Sequence, residues 1–252
     1  MAAPGLAAAP GLVLIAHGSR DPRSASTIRR LAARVGASWP GPVSAAFLDF
    51  NLPAVPSVLR GLAAGASAPS VVVPCLLTSA YHGRVDVPQV LADAGVRTRL
   101  ASVLGPAVPG DRPDPLLVAA LRRRLSELDK RFDGLVLIAA GTSYATARVG
   151  VDSAADLLGR TLEVPCLVGY ASASAPTPAD AVAALRSRGA SRIAVASYFL
   201  APGRLYDIAA ASARGAGAVA VAGPLGPADE IVRLVLARAR SAPRLGAPRS
   251  AA

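Results

Sequence analysis

The chain repeats itself, and the repeat limits its fold more than any single residue does. Gly11-Leu12-Val13-Leu14-Ile15-Ala16 returns almost unchanged as Gly134-Leu135-Val136-Leu137-Ile138-Ala139, so that Ala140 stands where His17 stands (140 − 17 = 123). Val71-Val72-Val73-Pro74-Cys75-Leu76-Leu77 answers, in the same order, to Ile193-Ala194-Val195-Ala196-Ser197-Tyr198-Phe199. A helical stretch ending in Gly-Ala precedes each of these runs. Each half then closes with Leu-Gly-Pro (Leu104-Gly105-Pro106 and Leu225-Gly226-Pro227) and an amphipathic segment. Landmarks repeated in order describe one architecture written twice.

Within each half, short apolar runs alternate with segments of helical period. Strands are predicted near 12–17, 43–49, 70–77 and 97–104, then near 135–140, 164–170, 192–199 and 217–222. Helices are predicted near 23–37, 54–64, 86–94 and 114–130, then near 145–158, 177–188, 204–213 and 228–240. Continuous apolar strands separated by helices are the pattern of parallel sheets covered on both faces. The expected fold class is therefore α/β, with two tandem similar domains, each a four-stranded parallel sheet flanked by helices. Residues 1–132 form the first domain and 133–240 the second, with the joint near Phe132-Asp133. The Pro-, Ala- and Arg-rich residues 241–252 are expected to form a disordered tail.

Composition narrows the class of function. A hydrophobic content of 52% over 252 residues supplies an ample core, yet no apolar run reaches the roughly 20 residues of a membrane helix. Residues 1–15 are rich in Ala and Leu but lack the basic start of a secretion signal. Their apolar run is also used again in mid-chain, so a strand and a cytoplasmic protein are expected. Cys75 and Cys166 lie inside apolar runs without CxxC spacing, which predicts buried, inert thiols. The net charge of +11 is carried almost wholly by arginine, Lys130 being the single lysine. Such a balance suits an anionic partner. Aromatic residues make up only 4% and do not interleave with basic ones, which argues against nucleic acid and leaves an acidic surface or a small molecule with many carboxylates. Arginines on predicted helix faces, such as Arg122, Arg123 and Arg124, are also read as solvated charges.

The chain has two histidines, and both follow a predicted strand of the first half. His17 opens His17-Gly18-Ser19-Arg20-Asp21; His82 lies in Tyr81-His82-Gly83-Arg84-Val85-Asp86-Val87-Pro88. Open α/β sheets bind ligands beyond the carboxyl ends of their strands, and imidazole both ligates metals and exchanges protons near neutral pH. The second half has Ala140 and Arg204 at the corresponding places, which predicts one active site per chain. Gly18 permits a sharp turn, and Ser19 or Asp21 can cap the following helix. Asp86 reads as a helix cap ahead of Pro88. Asp49 reads either as an assistant to the histidines or as a cap near Pro53, and Arg84 as a carboxylate-binding or a solvated charge. Cys75 is placed too deep for thiol catalysis. Two imidazoles make a poor closed zinc site, which needs four ligands, but a half-open site suits an ion held briefly and passed on.

Leu14-Ile15-Ala16-His17-Gly18-Ser19-Arg20-Asp21-Pro22-Arg23, Phe47-Leu48-Asp49-Phe50 with Pro53, and Val73-Pro74 leading to His82 and Asp86-Val87-Pro88 together resemble the sirohydrochlorin chelatase family. These are the class II chelatases that insert cobalt or iron into the macrocycle of cobalamin and sirohaem synthesis. The resemblance runs from about residue 11 to 240 and is to the long form with two fused chelatase-like domains, the second degenerate. It implies that His17 and His82 bind and insert the metal, Fe²⁺ or Co²⁺, which is a substrate rather than a permanently bound cofactor. It further implies sirohydrochlorin as the partner, with Ser19, Arg20, Arg84 and Arg204 as expected substrate contacts. Internal duplication implies a monomer or a weak homo-oligomer. Tyr81 and Asp49 depart from the family's usual small residue and Glu. The absence of a His-rich segment favours iron. A non-catalytic tetrapyrrole or metal carrier is the alternative. A phosphohydrolase with His17 as nucleophile is disfavoured, because Ala16 occupies the place where an arginine is needed.

Overall fold

A computed structural model describes residues 9–64, 68–78, 85–106 and 111–243. The first half runs β1 (Leu12–Ala16), α1 (Pro22–Gly36), β2 (Val43–Phe47), α2 (Val55–Ala63), β3 (Ser70–Pro74), α3 (Val87–Ala94), β4 (Thr98–Leu100) and α4 (Pro115–Ser126). The second runs β5 (Gly134–Ala139), α5 (Ala145–Leu162), β6 (Cys166–Tyr170), α6 (Pro178–Ser187), β7 (Ile193–Ser197), α7 (Arg204–Gly215), β8 (Ala220–Val221) and α8 (Asp229–Arg240). The strands form two four-stranded parallel sheets, ordered β2-β1-β3-β4 and β6-β5-β7-β8.

Alternation along the central strands assigns each face of a sheet to its own core. Leu12 and Leu14 of β1, with Leu135 and Leu137 of β5, point into one large core shared by both halves. Val13 and Ile15 face α2 and α3, whereas Val136 and Ile138 face α6 and α7. Helices α1, α4, α5 and α8 thus fill the space between the two sheets. All five residues of β1 and all six of β5 are buried, as strands covered on both faces must be.

The expected elements are all present, but the edge strands are shorter than predicted. After Leu100 and Val221 the chain leaves the ladder, while Leu104 and Leu225 donate to the carbonyls of Leu76 and Phe199. An edge segment needs fewer ladder bonds because only one side has a neighbour. The packed chain also runs past Arg240: Ala242 is buried and its carbonyl accepts a 2.6 Å bond from Arg99, although a tail was expected from Ser241. Residues 244–252 lie outside the described residues.

The last helix of each half covers the other half's sheet. α4 packs on β7, and α8 on β3. Arg124 of α4 donates to the Leu225 carbonyl at 3.0 Å, and Arg238 of α8 donates to the carbonyls of Val103 at 3.0 Å and Leu104 at 3.4 Å. Each clamp therefore seizes the Leu-Gly-Pro segment of the opposite half. Arg238 also pairs with Asp114 at 3.2 Å, and Arg123 with Glu230 at 3.1 Å.

The duplicated turns have the same geometry in detail. Gly18 and Gly141 have φ of +95° and +91°, and an added Cβ would lie 1.9 Å and 1.8 Å from the carbonyl oxygens of Asp49 and Ser172. Gly189 shares the left-handed conformation, with φ of +96°, but a Cβ there would meet open space. Gly141→Ala should therefore lose about 2 kcal/mol or more in urea unfolding, and Gly189→Ala only about 1 kcal/mol. Equal losses would show that the Ser172 contact does not fix the turn.

Candidate active site

The strand order decides where a ligand can bind. The chain passes from β1 to β2 on one side and returns to β3 on the other, so the two crossovers diverge beyond the carboxyl ends of β1 and β3. That switch point opens a crevice, and His17 is the first residue after β1. The β5–β7 ends of the second sheet face it. Together they enclose a cleft of about 300 Å³, lined by His17, Cys75 and Thr78 from the first half and Thr142, Tyr170 and Tyr198 from the second.

The loop carrying His17 is tied down at alternate residues, His17, Ser19 and Asp21. The His17 carbonyl accepts from the Asp49 amide at 2.9 Å, and the Ser19 amide donates to Asn51 Oδ1 at 2.8 Å. Ser19 Oγ accepts from the Asp21 amide at 3.0 Å. Asp21 caps α1 by accepting from the Arg23 amide at 2.9 Å, and Pro22 follows in the first turn. The Arg23 guanidinium holds the Asp21 carboxyl below the ordinary carboxylate range. The same guanidinium reaches Asp207 of α7 at 2.5 Å, joining the mouths of the two halves through an exposed, salt-screened pair.

The second half braces the cleft from the far side. Tyr198 is buried and donates its hydroxyl to the Leu77 carbonyl at 3.1 Å, at the start of the loop that follows β3. Burial raises its phenol above the usual range. Tyr170 donates to Asp152 at 3.3 Å, and partial burial raises that carboxyl from its usual value. The Cys75 thiol is fully buried, which pushes its pKa up to about 12. It is therefore a neutral thiol at cellular pH, neither a nucleophile nor a thiolate ligand.

Of the residues singled out from sequence, His17 lines the cleft and Ser19 lies beside it, where a Cβ at Gly203 would be 3.9 Å from Ser19 Oγ. The β1–α1 and β7–α7 loops therefore meet across the mouth. Arg204 is the first residue of α7 and is exposed; Arg20 is exposed on the facing loop. Neither forms an ion pair among the described residues. His82, Arg84 and Tyr81 lie outside the described residues. Asp49 does not cap α2, whose N-cap is Ala54; its carboxylate accepts from the Phe50 amide at 2.8 Å. Asp86 stands at the N-cap of α3 without a side-chain bond to the first-turn amides, because its own backbone is already helical.

Sequence reasoning missed the aromatic side chains of the site. Phe50 ended a quoted motif without a role, yet its ring lies edge-on to His17 with centroids 6.0 Å apart. The Arg20 guanidinium covers the same ring at 5.4 Å. Tyr170 and Tyr198 occupy strand ends of the degenerate half, so only alignment of the two halves could have pointed to them. Large exposed apolar side chains also gather on this side of the molecule. Phe50, Leu52, Tyr144, Leu205 and Ile208 all lie on segments that leave the carboxyl ends of strands. No helix among the described residues is long and apolar enough to cross a membrane.

Two parallel α/β halves with an imidazole-bearing cleft between them define a fused, internally duplicated α/β fold. The sequence matches the CbiX family over residues 11–128 and again over 134–242, and the chain belongs to that family. It is 30% identical over 81 residues to the sirohydrochlorin cobaltochelatase of Methanothermobacter thermautotrophicus, a match covering 32% of this chain and 57% of that protein. The sirohydrochlorin cobaltochelatase of Methanococcus aeolicus is equally similar over the same share. The matched stretch thus spans little more than half the length of these curated relatives. Among solved structures, SirB from Bacillus subtilis with Fe³⁺ superposes with a TM-score of 0.79 at 20% identity, covering 92% of this chain and 94% of that one. SirB in complex with cobalt gives 0.76 at 19% identity with the same coverage. CbiX, the terminal enzyme for sirohaem biosynthesis in denitrifying bacteria, gives 0.65 at 20% identity, covering 93% of this chain and all of that one. These likenesses confirm the fold of two helix-flanked parallel sheets.

The thiols offer a check on cleft packing. Cys75 should not react with a disulfide reagent at pH 7.5 until the protein unfolds. Cys166, expected to be buried, is only partly so at the start of β6 and should react slowly in the folded chain. Burial pushes both thiols up to about 12. An unfolded thiol ionises near pH 8.5. Stability from these raised folded-state values is therefore complete below about pH 8.5 and declines as pH rises towards 12. The urea midpoint should fall between pH 8 and 10 in the native chain and fall less in Cys75→Ala.

Proposed function

We propose that this chain is a sirohydrochlorin chelatase that inserts a divalent metal, Fe²⁺ or Co²⁺, into the macrocycle for sirohaem or cobalamin synthesis. The observation that carries the reading is His17, held rigidly at the switch-point cleft beside a neutral Cys75. Insertion replaces two pyrrole protons by one metal ion, so the site must hold the ion, strip its water and receive two protons. A neutral imidazole can ligate the ion or accept a proton at cellular pH. In this reading His17 and His82 hold the metal against one macrocycle face, and one or both take the protons. The metal passes through as substrate, and no permanently bound cofactor is invoked.

The cations suit a substrate with many carboxylates. Arg20 and Arg204 stand exposed on facing loops without ion-pair partners among the described residues, which leaves both available for charge-assisted bonds. Ser19 Oγ accepts from the Asp21 amide, which leaves its own proton for a substrate oxygen. Arg84 completes the proposed set. The apolar side chains around the mouth suit the faces of a flat macrocycle. We read residues 1–132 as the active domain, 133–240 as its degenerate copy, and the chain as a cytoplasmic monomer or weak homo-oligomer.

Anaerobic absorbance of the purified protein with sirohydrochlorin and either Fe²⁺ or Co²⁺, measured above the spontaneous rate, tests the reading. Catalysed conversion is expected, and the ratio of the two rates gives the preferred metal. His17→Ala and His82→Ala should each lower the rate at least a hundredfold, the scale of a lost acid–base group. An unchanged rate in the double variant would refute the assignment. Tight macrocycle binding without conversion would make the protein a carrier.

A further inference from the structure

The two copies of the β2–α2 turn provide an internal comparison. Phe50 and Ala173 occupy the same place in the repeat (173 − 50 = 123), and both take the left-handed conformation, with φ of +59° and +55°. The surrounding bonds match as well. The Asp49 and Ser172 amides donate to the carbonyls of His17 and Ala140, and the Ser19 and Thr142 amides to the side chains of Asn51 and Ser174. Alanine therefore suffices to build the turn. A phenyl ring there adds nothing that the turn requires.

The ring is also not part of a core. Phe50 is 50% exposed and belongs to none of the buried clusters among the described residues. Exposing a large aromatic surface in a left-handed conformation is unfavourable on both counts. What the ring does touch is specific. It meets the His17 imidazole in a T-shaped arrangement, 6.0 Å between centroids and 84° between planes. Its face carries the Arg20 guanidinium at 5.4 Å. In the second half Ala140 replaces His17, so the ring and the imidazole occur in the same copy.

We propose that Phe50 is a positioning residue for metal insertion. It fixes the His17 ring edge-on and shelves the Arg20 guanidinium, so that the metal-holding imidazole and a carboxylate-binding cation keep one mutual distance. The inference rests on the metal-insertion reading and deepens it: substrate carboxylate capture by Arg20 and ion delivery by His17 are set by one shared aromatic surface. Orientation of this kind is worth large rate factors because small misplacements are costly in a constrained site. Aromatic contacts with a cation or a ring also supply what an aliphatic side chain of similar size cannot.

The test compares Phe50→Ala, Phe50→Leu and Phe50→Trp in the full-length protein with the wild type, reading kcat, the macrocycle KM and the thermal midpoint. Since Ala173 shows that the turn accepts alanine, the midpoint should stay within experimental scatter in all three. The alanine and leucine variants should lose about tenfold in kcat and raise the macrocycle KM severalfold, and tryptophan should restore most of both. Combined with Arg20→Ala, the KM effect of Phe50→Ala should be less than additive, as it is for residues acting together. Wild-type values in Phe50→Leu, full additivity with Arg20→Ala, or an activity loss matched by a fall in midpoint would each overturn the proposal. If the wild type itself converts no macrocycle, the function reading has failed and this inference falls with it. Conversion by wild type with no effect of Phe50→Ala would overturn this inference alone.

Discussion

The exchange of terminal helices holds the molecule together, and the cleft depends on it. α4 leaves the first half to cover β7, α8 returns to cover β3, and the core between the sheets belongs to both. Arginines fasten each exchanged helix to backbone carbonyls of the opposite Leu-Gly-Pro segment. Those segments lie beside the extensions of β3 and β7, whose loops form the cleft walls. Gly105 sits so close to Leu77 that an added Cβ would lie 1.7 Å from the Leu77 carbonyl oxygen. The distance between the two walls is thus set by packing that neither half completes alone.

This arrangement also accounts for part of the arginine excess. Arg99, Arg124 and Arg238 donate to main-chain carbonyls, and Arg34 bonds the Pro227 carbonyl and Asp229. A guanidinium presents several donors in a planar fork, which lets one side chain satisfy two backbone acceptors where an ammonium would act as a point charge. A charge of +11 therefore overstates the cations available to a ligand. Arg20 and Arg204 differ from these in standing exposed at the mouth, without a carbonyl or carboxylate partner among the described residues.

Much of the architecture was legible because periodicity reports local structure directly. The repeated Leu-Val-Leu-Ile run fixed two buried central strands, and alternation told which residues face which side. Periodicity says which face of a helix is buried, but not against which sheet, so the α4–α8 exchange could not be read from it. The site was legible where one residue type carries the chemistry and sits at a strand end, as His17 does. It was not legible where the two copies fill matching positions with different chemistry. Arg29 lies over Phe47 at 5.5 Å in one half, and the matching residues Asp152 and Tyr170 share a hydrogen bond in the other. The same pair of positions is satisfied by unrelated chemistry, and no pattern in a single sequence announces such a substitution.

Joining the two copies in one polypeptide has a consequence for how each can change. In a two-fold assembly of identical chains every substitution appears twice, so a residue good for one wall of a shared cleft is imposed on the other. Here His17 faces the sheet that carries Ala140, and Phe50 has Ala173 as its counterpart. The covalent link also makes closure of the cleft a first-order event. Dilution to any concentration leaves both walls together, whereas a symmetric pair would lose its binding site as it dissociated.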